Sequence, residues 1–312
     1  MTAEHKPVLL NEVMRYLKPS EGEVIVDATL GAGGHSSEIL KALGNSGKLI
    51  SIERDPYMLE IAEKRIGANK GNFEAIKGNF SNIDSILLLR GIKKIDGVLF
   101  DFGAASPHFD IADRGFSFKS EGFLDMRYDR TEGISAFDVI NDFSEKEIAE
   151  ILWKYGEERF SRNIARNIVR ARSEKVIKTT DDLSAIIRYS IPKKLHPKNI
   201  DVCTRSYQGI RIFVNDELNH IETALLKVKD LLNKNGRVVC ISFHSLEDRI
   251  VKHTFAQWAL KCKCPPKQMI CNCNKMAEFE ILTKKPIIAD QEETDENPRA
   301  RSAKLRAALK LN

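Results

Sequence analysis

Asp27-Ala28-Thr29-Leu30-Gly31-Ala32-Gly33-Gly34-His35 lies between a short apolar run and a helix-length stretch. Three closely spaced glycines let a backbone turn sharply and lie against a ligand. Glu53 follows 20 residues after Gly33, at the end of the next apolar run. A carboxylate in that place accepts hydrogen bonds from both hydroxyls of a bound ribose. Loop and acid together predict a nucleoside-binding site, and two cofactors fit it. A nicotinamide dinucleotide favours a third glycine so that its pyrophosphate reaches a helix N-terminus, but the sixth position counted from Gly31 is Ser36. S-adenosylmethionine has no phosphate to cradle, so the methyl donor is the expected cofactor. Gly78-Asn79-Phe80 adds an aromatic ring where an adenine would lie. Asp101 ends the fourth apolar run, and Ser106-Pro107-His108-Phe109 follows it.

The elements that must hold these residues alternate in type. Strands are expected at 23–27, 48–53, 73–76 and 95–101, with helices at about 36–44, 57–66 and 81–90. Short apolar strands separated by helix-length stretches imply crossover units and a parallel sheet. From about 107 to 205 no strand pattern occurs, and the alternation resumes with a helix near 216–233 and a strand at 236–243. The fold class is therefore α/β, a Rossmann-like sheet interrupted by an all-helical insertion. Its parts divide as 1–106, 107–205 and 206–312, the last ending in a basic tail.

Composition removes several classes. The 312 residues are 42% hydrophobic and 30% charged, which suits a folded chain rather than global disorder. No apolar run approaches the roughly 20 residues of a membrane helix, and the N-terminus begins no signal pattern, so no membrane partner and a cytoplasmic location are expected. Six cysteines are too few for a disulfide scaffold. A homodimer is compatible with everything above.

The net charge of +5 is modest, but its distribution is not. Residues 110–158 carry 6 basic and 13 acidic side chains, whereas 159–205 carry 12 basic and 4 acidic. Arg159, Arg162, Arg166 and Arg170 recur at helical spacing with Phe160, Ile164 and Ile168 opposite, and Arg172 adds a fifth guanidinium. Such a stripe is expected to neutralise phosphates. Phe116, Phe118 and Phe123 read equally well as a stacking platform for an extruded base and as core. Arg299, Arg301, Lys304 and Arg306 form a second basic cluster behind an acidic stretch.

Cys262, Cys264, Cys271 and Cys273 make two Cys-x-Cys pairs that could hold a tetrahedral zinc. Structural zinc pairs are usually spaced by two to four residues, so free thiols without a metal are the sequence expectation. Cys203 and Cys240 stand alone, and neither is needed as a nucleophile.

His5-Lys6-Pro7-Val8-Leu9-Leu10, the Gly31–His35 loop, Asp101–Pro107, Arg114–Phe118, Leu124–Arg127, Gly156–Phe160, Ser242–Arg249 and Asn297–Ser302 occur in one consistent order. In these segments the chain resembles the MraW-type 16S ribosomal RNA cytosine-N4 methyltransferases. The resemblance implies a class I methyltransferase fold with a helical substrate domain inserted. It implies methylation of a cytidine N4 in the decoding (P-site) region of 16S rRNA, within the small ribosomal subunit. It also implies donor contacts at Gly33, Gly34, His35, Glu53, Phe80, Asp101 and His108, with Glu53 where aspartate is usual and His108 where glutamine is. The acceptors that would polarise the cytosine amino group are Asp101, Ser106 and Pro107. RNA contacts are expected at Arg159, Arg162, Arg166, Arg170, Arg299 and Arg301.

Three other functions compete. DNA amino-methyltransferases carry an Asp/Asn/Ser-Pro-Pro-aromatic loop, which Ser106-Pro107-His108-Phe109 matches only in part. A non-catalytic ribosome-assembly factor would have no use for Asp27, Gly33, Glu53 and Asp101. A nicotinamide oxidoreductase lacks its third glycine here.

Overall fold

The computed structural model describes residues 7–67, 71–262, 264, 268 and 272–312. His5 and Lys6 of the N-terminal motif and Cys271 of the thiol loop lie outside the described residues. Residues up to Gly103 with Leu218–Asn312 form one compact unit, and Ala104–Glu217 form a second.

The first unit begins α1 (Leu10–Leu17), β1 (Val24–Asp27), α2 (Gly34–Leu43), β2 (Lys48–Glu53), α3 (Pro56–Ile66), β3 (Phe73–Lys77), α4 (Ile83–Leu88) and β4 (Ile95–Asp101). The second contains α5 (Ser106–Asp110), α6 (Ala136–Asp142), α7 (Glu145–Gly156), α8 (Ser161–Glu174), α9 (Thr180–Ser190) and α10 (Thr204–Asn215). The chain returns through α11 (Glu217–Leu231), β5 (Leu232–Ser242), α12 (Ser245–Trp258), β6 (Phe279–Ile281), α13 (Gln291–Glu296) and β7 (Lys304–Lys310).

The seven strands order as β3-β2-β1-β4-β5-β7-β6. The first five run parallel, and β7 is antiparallel to both β5 and β6. Alternate strand residues feed two apolar layers: Val26, Ile50, Phe100 and Val238 on one face, Ile25, Leu49, Leu99 and Val239 on the other. Burial on both faces explains the near-continuous apolar runs. Strand order reverses between β1 and β4, so the carboxyl ends of these strands open a crevice there, the usual ligand position in such sheets. Asp27, Glu53 and Asp101 are the last residues of β1, β2 and β4.

Two expectations are corrected. Residues 304–310 are not a tail: they form β7, in register with Arg237–Ser242 of β5. The helical unit also reaches beyond 107–205, to Ala104 and Glu217. The reason is a helix crossing: a Cβ on Gly209 of α10 would lie 2.8 Å from the backbone nitrogen of Gly156, which ends α7. Two glycines let the backbones meet, so α10 shares the core of Ile148, Leu152, Tyr207 and Ile210.

Candidate active site and nucleic-acid surface

The glycine loop is built from hydrogen bonds among strand ends. Asp27 is 1% exposed. Its carboxylate accepts from the Thr29 amide at 3.1 Å and the Ser36 hydroxyl at 2.7 Å, which also meets Ser51 Oγ at 2.8 Å. Thr29 Oγ1 in turn accepts the Asp101 amide at 2.6 Å, tying the loop to the end of β4. Gly33 stands at φ +78° just before α2, and a Cβ there would lie 2.9 Å from Ile66 Cδ1. Only glycine suits both the left-handed turn and that packing.

Glu53 receives the Gly31 amide on Oε2 and the Asp55 amide on Oε1, both at 2.8 Å. Each carboxylate oxygen has a second lone pair, so Glu53 can hold the loop and still accept two ribose hydroxyls. Phe80 is half-buried and stands edge-on to Phe100 with ring centroids 5.8 Å apart, and 6.0 Å from Phe102. It is both a packing residue and a wall at the carboxyl end of the sheet.

Asp101 is the most unusual group. Its Oδ1 is buried with no hydrogen-bond partner among the described residues, and Oδ2 lies 3.7 Å from His35 Nδ1. The other His35 nitrogen, Nε2, donates to the Val8 carbonyl at 2.9 Å, so Nδ1 of the neutral ring presents a lone pair to Asp101. Burial lowers the His35 pKa to about 4, which keeps it neutral. Burial first, and then the Asp27 and Glu247 charges, hold Asp101 well above the usual carboxylate range. Burial likewise raises Asp27 to about 6 and Glu53 to about 7.

This surround selects its ligand. A crowd of carboxylates with one unsatisfied acceptor favours a cation bearing N–H groups and repels a pyrophosphate. S-adenosylmethionine carries a sulfonium and an ammonium and fits these residues. Bound, it supplies a methyl group made electrophilic by the sulfonium.

The raised carboxyls also predict a pH dependence. A group whose folded pKa is raised contributes stability that is full below its unfolded pKa and is lost as pH rises through the folded one. For Glu53 that window runs from about 4.5 to about 7. Ligand-free protein should therefore lose stability across it, and Glu53→Gln should flatten the loss. Denaturant unfolding at a series of pH values checks this; identical pH profiles for the two proteins would exclude Glu53 as the source.

The chain matches the MraW methylase family over residues 2–311. It belongs to that family. A relative from Trichlorobacter lovleyi is 46% identical over 307 residues, covering 98% of both chains. Another from Geobacter sulfurreducens is 45% identical over 311 residues, covering 100% of both. Both bear the name ribosomal RNA small subunit methyltransferase H. The MraW methylase assignment makes this an S-adenosylmethionine-dependent enzyme.

Several residues picked out in the sequence also have packing work in this MraW methylase. Gly34 has a packing reason: a Cβ would lie 2.6 Å from Pro7 Cγ. His108 belongs to the helical unit, 4% exposed, with its ring 5.0 Å from Phe116 and 5.1 Å from Tyr128. Its part in donor binding is a proposal resting on the resemblance. Ser106 and Pro107 open α5. Glu247, overlooked in the sequence, is fully buried and accepts the Phe243 amide at 2.7 Å and the His244 amide at 3.3 Å. Its signal was a glutamate at the third position of a helix, reaching back to the residues before it.

The basic stripe is shorter than its spacing suggested. Arg159 precedes α8, and Arg172 is spent on the Ile140 and Phe143 carbonyls at 2.6 and 2.5 Å. Arg162, Arg166 and Arg170 remain exposed on α8, opposite the buried Ile164 and Ile168. Arg166 meets Glu145 at 3.9 Å, while Arg162 and Arg170 have no acidic partner among the described residues. Three acids of the first half are occupied elsewhere. Asp138 and Glu147 cap α6 and α7, and Asp125 pairs with Arg127 and Arg130.

The aromatic question divides by residue. Phe116 is 4% exposed and stacks on Tyr128, so it is core, and Phe118 packs edge-on to Tyr207. Phe123 is 41% exposed and stacks on Phe137, leaving it the one of the three with a face for a base. The C-terminal cluster dissolves: Arg306 is buried against Asp248 at 2.6 Å, and Lys304 meets the same carboxylate at 3.8 Å. Arg301 is exposed and Arg299 half-buried.

Proposed function

We propose that this enzyme methylates the N4 amino group of a cytidine in the decoding (P-site) region of 16S rRNA. The relatives' shared name supports small-subunit ribosomal RNA as the substrate. The observation that carries the chemistry is Asp101, whose buried, unpartnered Oδ1 stands at the carboxyl end of β4 beside the donor loop.

Cytosine N4 is a poor nucleophile because its lone pair is delocalised into the ring. Acceptors aimed at the amino protons draw that nitrogen towards tetrahedral geometry and stabilise the positive charge that develops on it. The Asp101 carboxylate is the main acceptor, and it also orients the donor's cationic end. The Ser106 hydroxyl and the backbone carbonyls up to Pro107 share the second proton. Gly33, Glu53 and Phe80 hold the donor, with Gly34, His35 and His108 supporting it. Transfer of labelled methyl to naked 16S RNA, assembled small subunits and DNA tests this, with nucleoside mass spectrometry of the product. N4-methylcytidine in RNA is expected; label on DNA, on another base, or on none of the three would overturn it.

RNA is held by Arg162, Arg166 and Arg170, with Arg159, Arg299 and Arg301 contributing at the edges. Replacing the three α8 arginines by glutamine should leave donor affinity unchanged and weaken RNA binding. The slope of log affinity against log salt should flatten by about two to three. A wild-type slope in the triple variant would show that the stripe touches no phosphate.

A further inference from the structure

We propose that Cys262, Cys264 and Cys273 hold a structural zinc ion that pins the connection between α12 and β6. Their three Sγ atoms lie within 4.8 Å of one another. Cys262 and Cys273 are 3.7 Å apart at sulfur. That is far beyond a disulfide bond of about 2.05 Å. It equals the edge of a tetrahedron with zinc–sulfur bonds of about 2.3 Å, which is about 3.8 Å.

One contact shows how a one-residue spacing can serve. The Cys264 amide lies 3.3 Å from the sulfur of Cys262, a contact that folds the pair back on itself and stabilises a thiolate. Burial does not account for the gathering, because Cys262 is exposed and Cys264 and Cys273 are half-buried. Buried Cys203 and Cys240 show what cysteines used as core residues look like here. Clustered thiolates repel one another unless a cation sits among them, and soft sulfur donors select zinc over harder divalent ions.

The site has a structural task. Trp258 at the end of α12 stacks on Phe279 of β6 with centroids 4.4 Å apart, and its carbonyl accepts the Glu278 amide at 3.0 Å. β6 has three residues and, among the described residues, only β7 as a strand partner. A metal clip joining Cys262 to Cys273 lowers the entropy cost of docking so short an edge strand.

The experiment uses the full chain, purified under reducing conditions from zinc-replete culture, with metal counted by plasma mass spectrometry. One zinc per chain is expected, falling at least about tenfold in Cys262→Ser and in Cys273→Ser, while S-adenosylmethionine affinity is kept. Cobalt exchanged into the wild-type protein should show thiolate charge-transfer bands and d–d bands of tetrahedral intensity, a readout independent of any variant's folding. Chelation should speed proteolytic cleavage between α12 and β6. Zinc-free wild-type protein that also fails to take up zinc or cobalt would overturn the proposal. So would wild-type zinc content in both serine variants, iron in place of zinc, or a Cys262–Cys273 disulfide in freshly reduced protein.

Discussion

Asp101→Ala should lower single-turnover methyl transfer, at saturating donor and RNA, by at least about a hundredfold, the scale of one preorganised electrostatic contact. The backbone of Asp101 is anchored through its amide to Thr29 Oγ1 at 2.6 Å, so removing the side chain leaves the strand end in place. What is lost is the carboxylate whose Oδ1 has no partner among the described residues. Saturating both substrates separates binding from chemistry. If the rate returns fully to wild type there, Asp101 serves binding alone and the acceptor role passes to Ser106–Pro107. Asp101→Asn keeps one carbonyl acceptor without the charge and should fall between the two. Ser106→Ala should cost less than Asp101→Ala, because a backbone carbonyl shares its role.

Glu53→Ala should weaken S-adenosylmethionine binding about ten- to a hundredfold, corresponding to about 1.5–3 kcal/mol for a charged hydrogen-bonding partner. Two losses combine in it. The ribose hydroxyls lose their acceptor, and the Gly31 and Asp55 amides lose theirs, which slackens the loop that the donor must meet. Glu53→Asp, the side chain usual in the resembled family, keeps the carboxylate and should retain most of the affinity. Calorimetry on folded variants measures all of this. Wild-type affinity in Glu53→Ala would remove the residue from the donor site.

The glycine loop was legible in the sequence because its demands are local. A left-handed turn at Gly33, a carboxylate at the end of β2 and strands of apolar residues each follow from a few neighbouring positions. The parallel sheet followed from the alternation of those strands with helices, and the helical insertion from the loss of that alternation. The strand β7 was hidden for the opposite reason. Lys304-Leu305-Arg306-Ala307-Ala308-Leu309-Lys310 has the composition of a basic helix or tail, and pairing with β5 and β6 makes it a strand.

The same division runs through the functional residues. Sequence alone determined that a glycine loop, a spaced acid and a basic helix exist, since glycine conformation and helical period are properties of short segments. Tertiary structure decided which of the candidates are available for function. Arg172 turned inward to two carbonyls about 30 residues away, Arg306 was claimed by Asp248, 58 residues distant, and Gly34 proved to be shaped by Pro7. Cys262 and Cys273 meet across an 11-residue separation for the same reason. Charge and thiol chemistry act through space, so a side chain's role is set by the neighbours that the fold brings to it.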